Sequence, residues 1–216
     1  MKILTIGDIQ NLIHKAGLTY LFQRFTKAME SDFLRWNEFN LSPRHVTHFA
    51  HGVIELMPCS DMQFYSFKYV NGHPGNPAKS RLSVVALGQL SEVSTGYPLM
   101  ISEMTLLTAL RTAVTSVLAA KYLAHRNASK LAIIGTGAQA EFQVMGFASL
   151  FPVEEVRFYD VDDLAMKKFE NNLAGESFKL IACKNTNEAV SSAEIVVTAT
   201  AKKQRQCLFK FEDIAP

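Results

Sequence analysis

Between residues 131 and 160 an apolar run, a glycine turn, a helix-like stretch, a second apolar run and a carboxylate follow one another without interruption. Leu131, Ala132, Ile133 and Ile134 read as a buried strand, and Gly135-Thr136-Gly137-Ala138-Gln139-Ala140 is a G-x-G-x-x-A turn. Phe142, Val144, Met145, Phe147 and Leu150 give the next stretch an apolar helical face. Residues 155–159 form a second strand that closes on Asp160. This order predicts a parallel βαβ unit of the kind that binds dinucleotides. Gly135 lets the chain turn sharply off the strand, Gly137 lets backbone approach a pyrophosphate, and Ala140 is small enough for the helix to pack on the strand. The free N–H groups at the helix N-terminus then face the phosphates. Asp160 stands where the ribose needs an acceptor. A carboxylate there accepts from a free 2′-hydroxyl and repels a 2′-phosphate, which selects NAD over NADP; Arg157 lies too early on its strand to reverse this. A glycine turn also occurs in purely structural βαβ units, and it is the flanking strand, helix and acid that favour a nucleotide site.

With 48% hydrophobic and 19% charged residues, the 216-residue chain has the means to bury a core, in one large domain or two modest ones. A formal charge of +2 offers nothing to a nucleic acid, and Lys202-Lys203-Gln204-Arg205, the one basic cluster, reads as a solvated loop. No apolar run is long enough for a bilayer, and Met1-Lys2-Ile3-Leu4 lacks the apolar stretch of a signal peptide, so a cytoplasmic protein with no membrane partner is expected. Cys59, Cys183 and Cys207 are far apart and read as packed, reduced thiols. His45, His48 and His51 recur every third residue, but on a strand i and i+3 face opposite sides, so no metal site is expected.

Before the glycine turn the pattern is α+β. Asp8 is placed to cap a short helix carrying Ile9, Leu12, Ile13 and Ala16, stopped by Gly17; Leu18, Leu21, Phe22, Phe25, Met29 and Phe33 continue at helical spacing as a core stripe. Strands are predicted at 53–57, 64–70, 82–87 and 97–102, with a turn-rich loop at 71–77, and residues 105–125 read as one helix. After Asp160 the alternation continues as a helix at 162–173, a strand at 178–181, a helix at 186–192 and a strand at 195–198.

Four segments together resemble the ornithine cyclodeaminase/mu-crystallin family, above all its bacterial cyclodeaminases. They are Gly52-Val53-Ile54-Glu55-Leu56-Met57-Pro58, Lys68-Tyr69-Val70-Asn71-Gly72-His73-Pro74, Ser94-Thr95-Gly96-Tyr97-Pro98, and Glu103 through Ala113. The dinucleotide turn follows at the family's spacing. The resemblance implies that Arg44, Lys68 and Arg111 hold the substrate carboxylate. Arginine's planar fork and lysine's movable charge suit that task, and Arg111, among apolar helix neighbours, would be costly left unpaired. Taken alone, Arg44 reads as a solvated charge. The resemblance also implies cofactor contacts from Ser83, Ala138, Gln139, Asp160 and Thr200. Ser83 departs from the threonine of close relatives but keeps the hydroxyl. Glu55 is a candidate partner for the distal amine of ornithine and reads equally well as an outward strand carboxylate.

The expectation is therefore an α/β protein. Residues 1–112 form an α+β substrate-binding and dimerisation domain, and 113–216 an incomplete Rossmann-type dinucleotide-binding domain. The family's catalytic aspartate lies in a Gly-Gly-Asp turn that would fall beyond Pro216, so none of the residues here is assigned as catalytic and the chain reads as a truncated enzyme. The implied activity is NAD-dependent conversion of L-ornithine to L-proline with release of ammonia, by a homodimer whose subunits share a closed sheet. A ketimine reductase, an alanine dehydrogenase or a non-catalytic small-molecule-binding fragment are the alternatives. Exposed Trp36 and Phe39, and an open edge at 82–87, are the features expected to meet the partner subunit.

Overall fold

The computed structural model describes residues 1–200 and 207–214, so the basic run Lys202-Lys203-Gln204-Arg205 lies outside the described residues. The chain divides into two compact units, one of Met1–Gly17 and Ala28–Ala109, the other of Leu18–Lys27 and Leu110–Pro216. A continuous first domain over 1–112 does not anticipate that residues 18–27 belong with the second unit.

The first unit holds β1 (Lys2–Leu4), α1 (Ile6–Ala16), the C-terminal part of α2 (Leu18–Leu34), β2 (Asn40–Leu41), β3 (His45–Phe49), β4 (Gly52–Ser60), β5 (Phe64–Gly72), β6 (Ala86–Glu92) and β7 (Pro98–Glu103). They form a seven-stranded sheet in the order β1-β7-β6-β5-β4-β2, with β3 also on β4. All pairings are antiparallel except β1 with β7, where Lys2 lies opposite Met100. Strand β1 is too short for periodicity to reveal.

Two readings change here. The cap of α1 is Thr5, not Asp8. The Thr5 hydroxyl accepts from the Asp8 N–H at 3.3 Å while the Asp8 carboxylate accepts from the Thr5 N–H at 2.8 Å, a reciprocal capping box with the acid at its third position. The Thr5 hydroxyl and N–H together hold the Asp8 carboxyl below the usual carboxylate range. The strand expected at 82–87 begins only at Ala86. Before it, Asn76 Nδ2 donates to Leu82 O at 2.9 Å and the His73 N–H to Ser83 O at 2.8 Å, so the turn-rich loop takes up the backbone that a ladder would use. Because β6 then lies between β5 and β7, this segment offers no open edge.

Helix α3 (Thr105–Leu123) starts on Glu103, whose carboxylate accepts the Thr105 N–H and, at 3.0 Å, the Leu106 N–H. By length and composition α3 is apolar enough to cross a membrane, contrary to the reading that no run is. Its Leu110, Ala113, Val114 and Val117 are fully buried.

The second unit continues with β8 (Lys130–Ile134), α4 (Ala140–Ala148), β9 (Glu155–Tyr159), α5 (Asp163–Asn172), β10 (Lys179–Ala182), α6 (Thr186–Val190) and β11 (Ile195–Thr198). Its four strands are parallel in the order β10-β9-β8-β11, with Ile133 opposite Phe158. This is the first half of a doubly wound dinucleotide fold, as expected. Both faces of β8 are covered. Leu131 and Ile133 join Val144, Phe147, Phe158 and Phe169 on one side, while Ala132 and Ile134 meet Cys183, Ala189 and Val190 on the other. That double burial is why β8 reads as an unbroken apolar run. Residues 18–27 belong here through Phe22, almost fully buried, and Gln23, whose Nε2 donates to Ser149 O at 3.1 Å. A Cβ on Gly146 would lie 3.2–3.4 Å from Val117, Ala113 and Phe22, so α4 is glycine where its neighbours come closest.

At the other end of the sheet, Glu194 Oε2 accepts from the Ser129 N–H at 2.7 Å and the Lys130 N–H at 3.0 Å, tying the entries of β11 and β8 together. These two bonds hold its carboxyl below the ordinary value of 4.5. The folded form is the stronger acid, so this contribution is complete above the unfolded pKa and is lost as pH falls through the folded one. Glu194→Ala should lower stability at pH 7 by about 1 kcal/mol. In urea unfolding the gap from wild type should narrow as the medium is taken well below pH 4. An equal gap at both pH values would show that these bonds are not its source.

Candidate functional site

Strand β8 ends in a turn that only glycine can make. Gly135 has φ +95°, and a Cβ there would sit 2.9 Å from the Ala199 carbonyl and the Thr200 nitrogen, where the chain leaves β11. The Gly135 N–H donates to Tyr159 O at 2.9 Å, extending the β8–β9 ladder into the turn. Thr136 is fully buried, whereas Gly137 and Ala138 are exposed and a Cβ on Gly137 would meet nothing within 4 Å. Gln139 caps α4 by position but gives it no side-chain bond, and its Oε1 is buried without a partner among the described residues. Ala140 is completely buried against the sheet. Two residues into α4, Glu141 is answered by Lys168 Nζ and Asn172 Nδ2, both at 2.9 Å.

Asp160 follows β9 directly. Its Oδ2 accepts from the Thr136 N–H at 2.6 Å and the Thr136 hydroxyl at 3.3 Å, and its Oδ1 from the Asp162 N–H at 3.1 Å. Asp162 in turn caps α5 through the Leu164 and Ala165 N–H groups. The Ala199 N–H donates to Ile134 O at 2.8 Å, which brings exposed Thr200 to the strand end that carries Gly135. Gly135, Gly137, Ala138, Gln139, Asp160 and Thr200 thus meet at the carboxyl edge of one parallel sheet, where such folds bind ligands. Open space over Gly137, an orphaned amide oxygen at the mouth of α4 and a fixed carboxylate fit a dinucleotide. Ser83 belongs to the first unit and lies in a bend, not on a strand.

The cations are placed differently from one another. Lys68 lies on β5 between Met57 of β4 and Gly88 of β6, half-buried, and its Nζ donates to Thr108 Oγ1 of α3 at 3.4 Å. Arg44 is exposed ahead of β3, with Nη1 3.8 Å from Glu55 Oε1 on β4. The structure therefore pairs two side chains that the sequence assigned to opposite ends of a substrate. Arg111, in the second unit, is exposed, so the cost of a buried unpaired guanidinium does not apply to it.

The family model of the ornithine cyclodeaminase/mu-crystallin family matches residues 10–216. The chain belongs to that family. Over all 216 residues it is 44% identical to the ornithine cyclodeaminase of Agrobacterium tumefaciens strain Ach5, of which it covers 61%. Among solved structures, an archaeal alanine dehydrogenase dimer with bound NAD superposes with a TM-score of 0.83 at 31% identity, covering 99% of this chain and 64% of that one. The Δ1-pyrroline-2-carboxylate reductase of Thermococcus litoralis, in complex with NADH and L-proline, gives 0.87 at 26% identity, covering 99% and 66%. The chain spans about three fifths of the length of the curated relatives that it matches.

Within this family frame, sequence reasoning missed Thr136 and Thr108. A hydroxyl between two turn glycines and a hydroxyl three residues before Arg111 were the available signals. Other expectations need adjusting. His45 and His48 lie on β3, but His51 is in the following turn, and no group of three candidate metal ligands occurs among the described residues. Cys183 is buried and Cys59 half-buried, burial pushing both thiols up, whereas Cys207 is exposed and not packed. Trp36 is half-exposed and stacks on Phe33 at 5.6 Å, but Phe39 is half-buried under the Arg35 guanidinium.

The two turn glycines should respond oppositely to alanine. Gly135→Ala adds a Cβ against backbone at a positive φ and should cost about 2 kcal/mol or more. Gly137→Ala fills open space and should unfold at the wild-type temperature. Differential scanning calorimetry separates them, and a stable Gly135→Ala variant would refute the close approach to Ala199.

Proposed function

We propose that the protein is an NAD-dependent ornithine cyclodeaminase, converting L-ornithine to L-proline with release of ammonia. The observation that carries this reading is the Asp160 carboxylate fixed beside the Gly135–Gly137 turn, in a chain akin over its whole length to a bacterial ornithine cyclodeaminase. In this reading the unit containing 113–216 binds the dinucleotide. Gly135 and Gly137 leave room for its phosphates, and Ala138 and Gln139 offer N–H groups at the start of α4. Asp160 accepts from the ribose, while Thr200 and Ser83 contribute hydroxyls. Bound there, NAD supplies a hydride acceptor that gives the hydride back within the same turnover, so ornithine becomes proline plus ammonia with no net redox change.

The residues of 1–112 orient the substrate. Lys68 and Arg111 hold the α-carboxylate, with Arg44 as a third cation, and Glu55 takes the distal ammonium. Ornithine carries one anion and a second cation, so it can replace both halves of the Arg44–Glu55 pair at once. A second reading is favoured by that same pair. With Glu55 already answered by Arg44, a substrate without a distal amine is accommodated, as in an alanine dehydrogenase or a ketimine reductase. A cyclodeaminase given ornithine and catalytic NAD releases ammonia without accumulating NADH, whereas stoichiometric NADH would favour the second reading. The cytoplasmic setting belongs to the proposal and is supported by three free cysteines.

On protein that releases ammonia from ornithine, Lys68→Ala and Arg111→Ala should each reduce turnover by about 2–3 kcal/mol of transition-state stabilisation with NAD affinity nearly unchanged. Asp160→Ala should chiefly weaken NAD and narrow its advantage over NADP. A Lys68 variant that folds yet has lost NAD would contradict the clamp.

We infer further that the first unit forms a homodimer. All five residues of β3 are exposed although they alternate between two faces, and Phe49 and Leu56 leave apolar surface uncovered there. Strand β3 pairs with β4 along one side and with no other strand among the described residues, an edge that a second subunit would close. The related archaeal alanine dehydrogenase is a dimer. Light scattering at micromolar concentration should give twice the chain mass, and a clean monomer would sink the inference.

A further inference from the structure

We propose that Thr136 is a positioning residue that fixes the Asp160 carboxylate toward the ribose, and so sets how strongly the site refuses a 2′-phosphate. The proposal rests on the dinucleotide reading given above. Thr136 is completely buried, so its hydroxyl is not itself offered to a ligand. It points instead at Asp160 Oδ2, 3.3 Å away, alongside the Thr136 N–H at 2.6 Å, while Oδ1 is held from the other flank by the Asp162 N–H at 3.1 Å.

An aspartate carboxylate turns easily about its last torsion, which is broad and roughly two-fold. Donors on both oxygens restrict that turning before any ligand arrives. A carboxylate has about four acceptor positions, so three donors still leave capacity for a ribose hydroxyl. The β-branched Thr136 side chain has few rotamers, and burial fixes which is used, so its hydroxyl is a stationary donor. A carboxylate held in place discriminates more sharply than a mobile one. It meets the 2′-hydroxyl of NAD at the right place, and it cannot swing aside to relieve repulsion by the 2′-phosphate of NADP. Thr136 therefore acts on the ratio of the two affinities, not only on their size.

Thr136→Val keeps the backbone donor and the side-chain shape and removes only the hydroxyl. Calorimetric titration should show NAD affinity reduced about 3- to 10-fold and its preference over NADP reduced by a similar factor. Thr136→Ser, which keeps the hydroxyl, should restore the wild-type ratio. Should the valine variant not fold, Thr136→Ala removes the same hydroxyl without a misplaced methyl and is read in the same way. Equal losses for NAD and NADP, leaving the ratio unchanged, would overturn the proposal in favour of a merely structural threonine. Asp160→Ala separates this failure from that of the parent reading. If that variant binds NAD as wild type does, the ribose assignment itself is wrong. If it loses NAD preference while Thr136→Val retains it, only the positioning role falls.

Discussion

The organisation of the second unit depends on one close approach, that of the Gly135 Cα to the backbone leaving β11. There is no room there for a Cβ, and the backbone has a positive φ that side chains rarely tolerate. Once the chain turns at that point, the rest follows from connectivity. The Thr136 N–H is delivered to Asp160, Gly137 and Ala138 are left in the open, and α4 begins against the sheet with Ala140 buried. The same contact fixes Thr200 at the sheet edge, because its own nitrogen is one of the atoms a Cβ would strike. A single covalent economy, one missing methyl group, thus sets the positions of four of the proposed cofactor contacts.

The two units bury their surfaces in different ways. In the second, β8 is covered on both faces and the unit holds Phe22, Phe147, Phe158 and Phe169, the largest fully buried side chains among the described residues, so parallel strands and crossover helices close a core by themselves. In the first, β3 is exposed throughout, and Phe33 and Leu34 of α2, Leu56 of β4 and Leu99 of β7 remain in contact with solvent. A sheet of seven strands with so much uncovered apolar surface fits the homodimer proposed above, in which part of its core would belong to an interface. The exposed aromatics near Trp36 are partly occupied within the unit, by the stacking of Phe33 and by Arg35 over Phe39. The sheet surface around β3 and β4 is therefore the better candidate for that interface.

The second unit was legible because burial on two faces leaves continuous apolar runs, and because glycine, small residue and acid occur at spacings that local geometry requires. The strands at 155–159 and 195–198 fall where the pattern places them. The first unit was less legible wherever a side chain competes with the backbone pattern. Residues 82–85 look like a strand by composition, but the Asn76 side-chain amide engages the Leu82 carbonyl and, with the His73 backbone N–H on the Ser83 carbonyl, holds the segment as a loop. Asp8 looks like a cap but serves as the third residue of a capping box, which only the reciprocal bond from Thr5 reveals. The membership of residues 18–27 was hidden because α2 is one uninterrupted helix, and periodicity shows which face is apolar but not what covers it. Among site residues, the cradle was readable and the Arg44–Glu55 pairing was not, because cross-strand neighbours are set by register, which the sequence carries only weakly.

The acids of this chain show why position alone does not assign a function. Asp8, Asp61, Glu103, Asp160 and Glu194 all accept backbone N–H groups at the joints between elements. Each neutralises donors that would otherwise be left unsatisfied where a helix or strand begins. By that measure Asp160 is one structural carboxylate among several. What separates it is its surroundings. It alone of these five stands at the carboxyl edge of a parallel sheet beside a glycine turn with open space over it. Its structural bonds do not compete with the proposed binding role. They prepare it, because a carboxylate already held by Thr136 and Asp162 loses little freedom when a ribose hydroxyl is added, so less of the binding energy goes into ordering it.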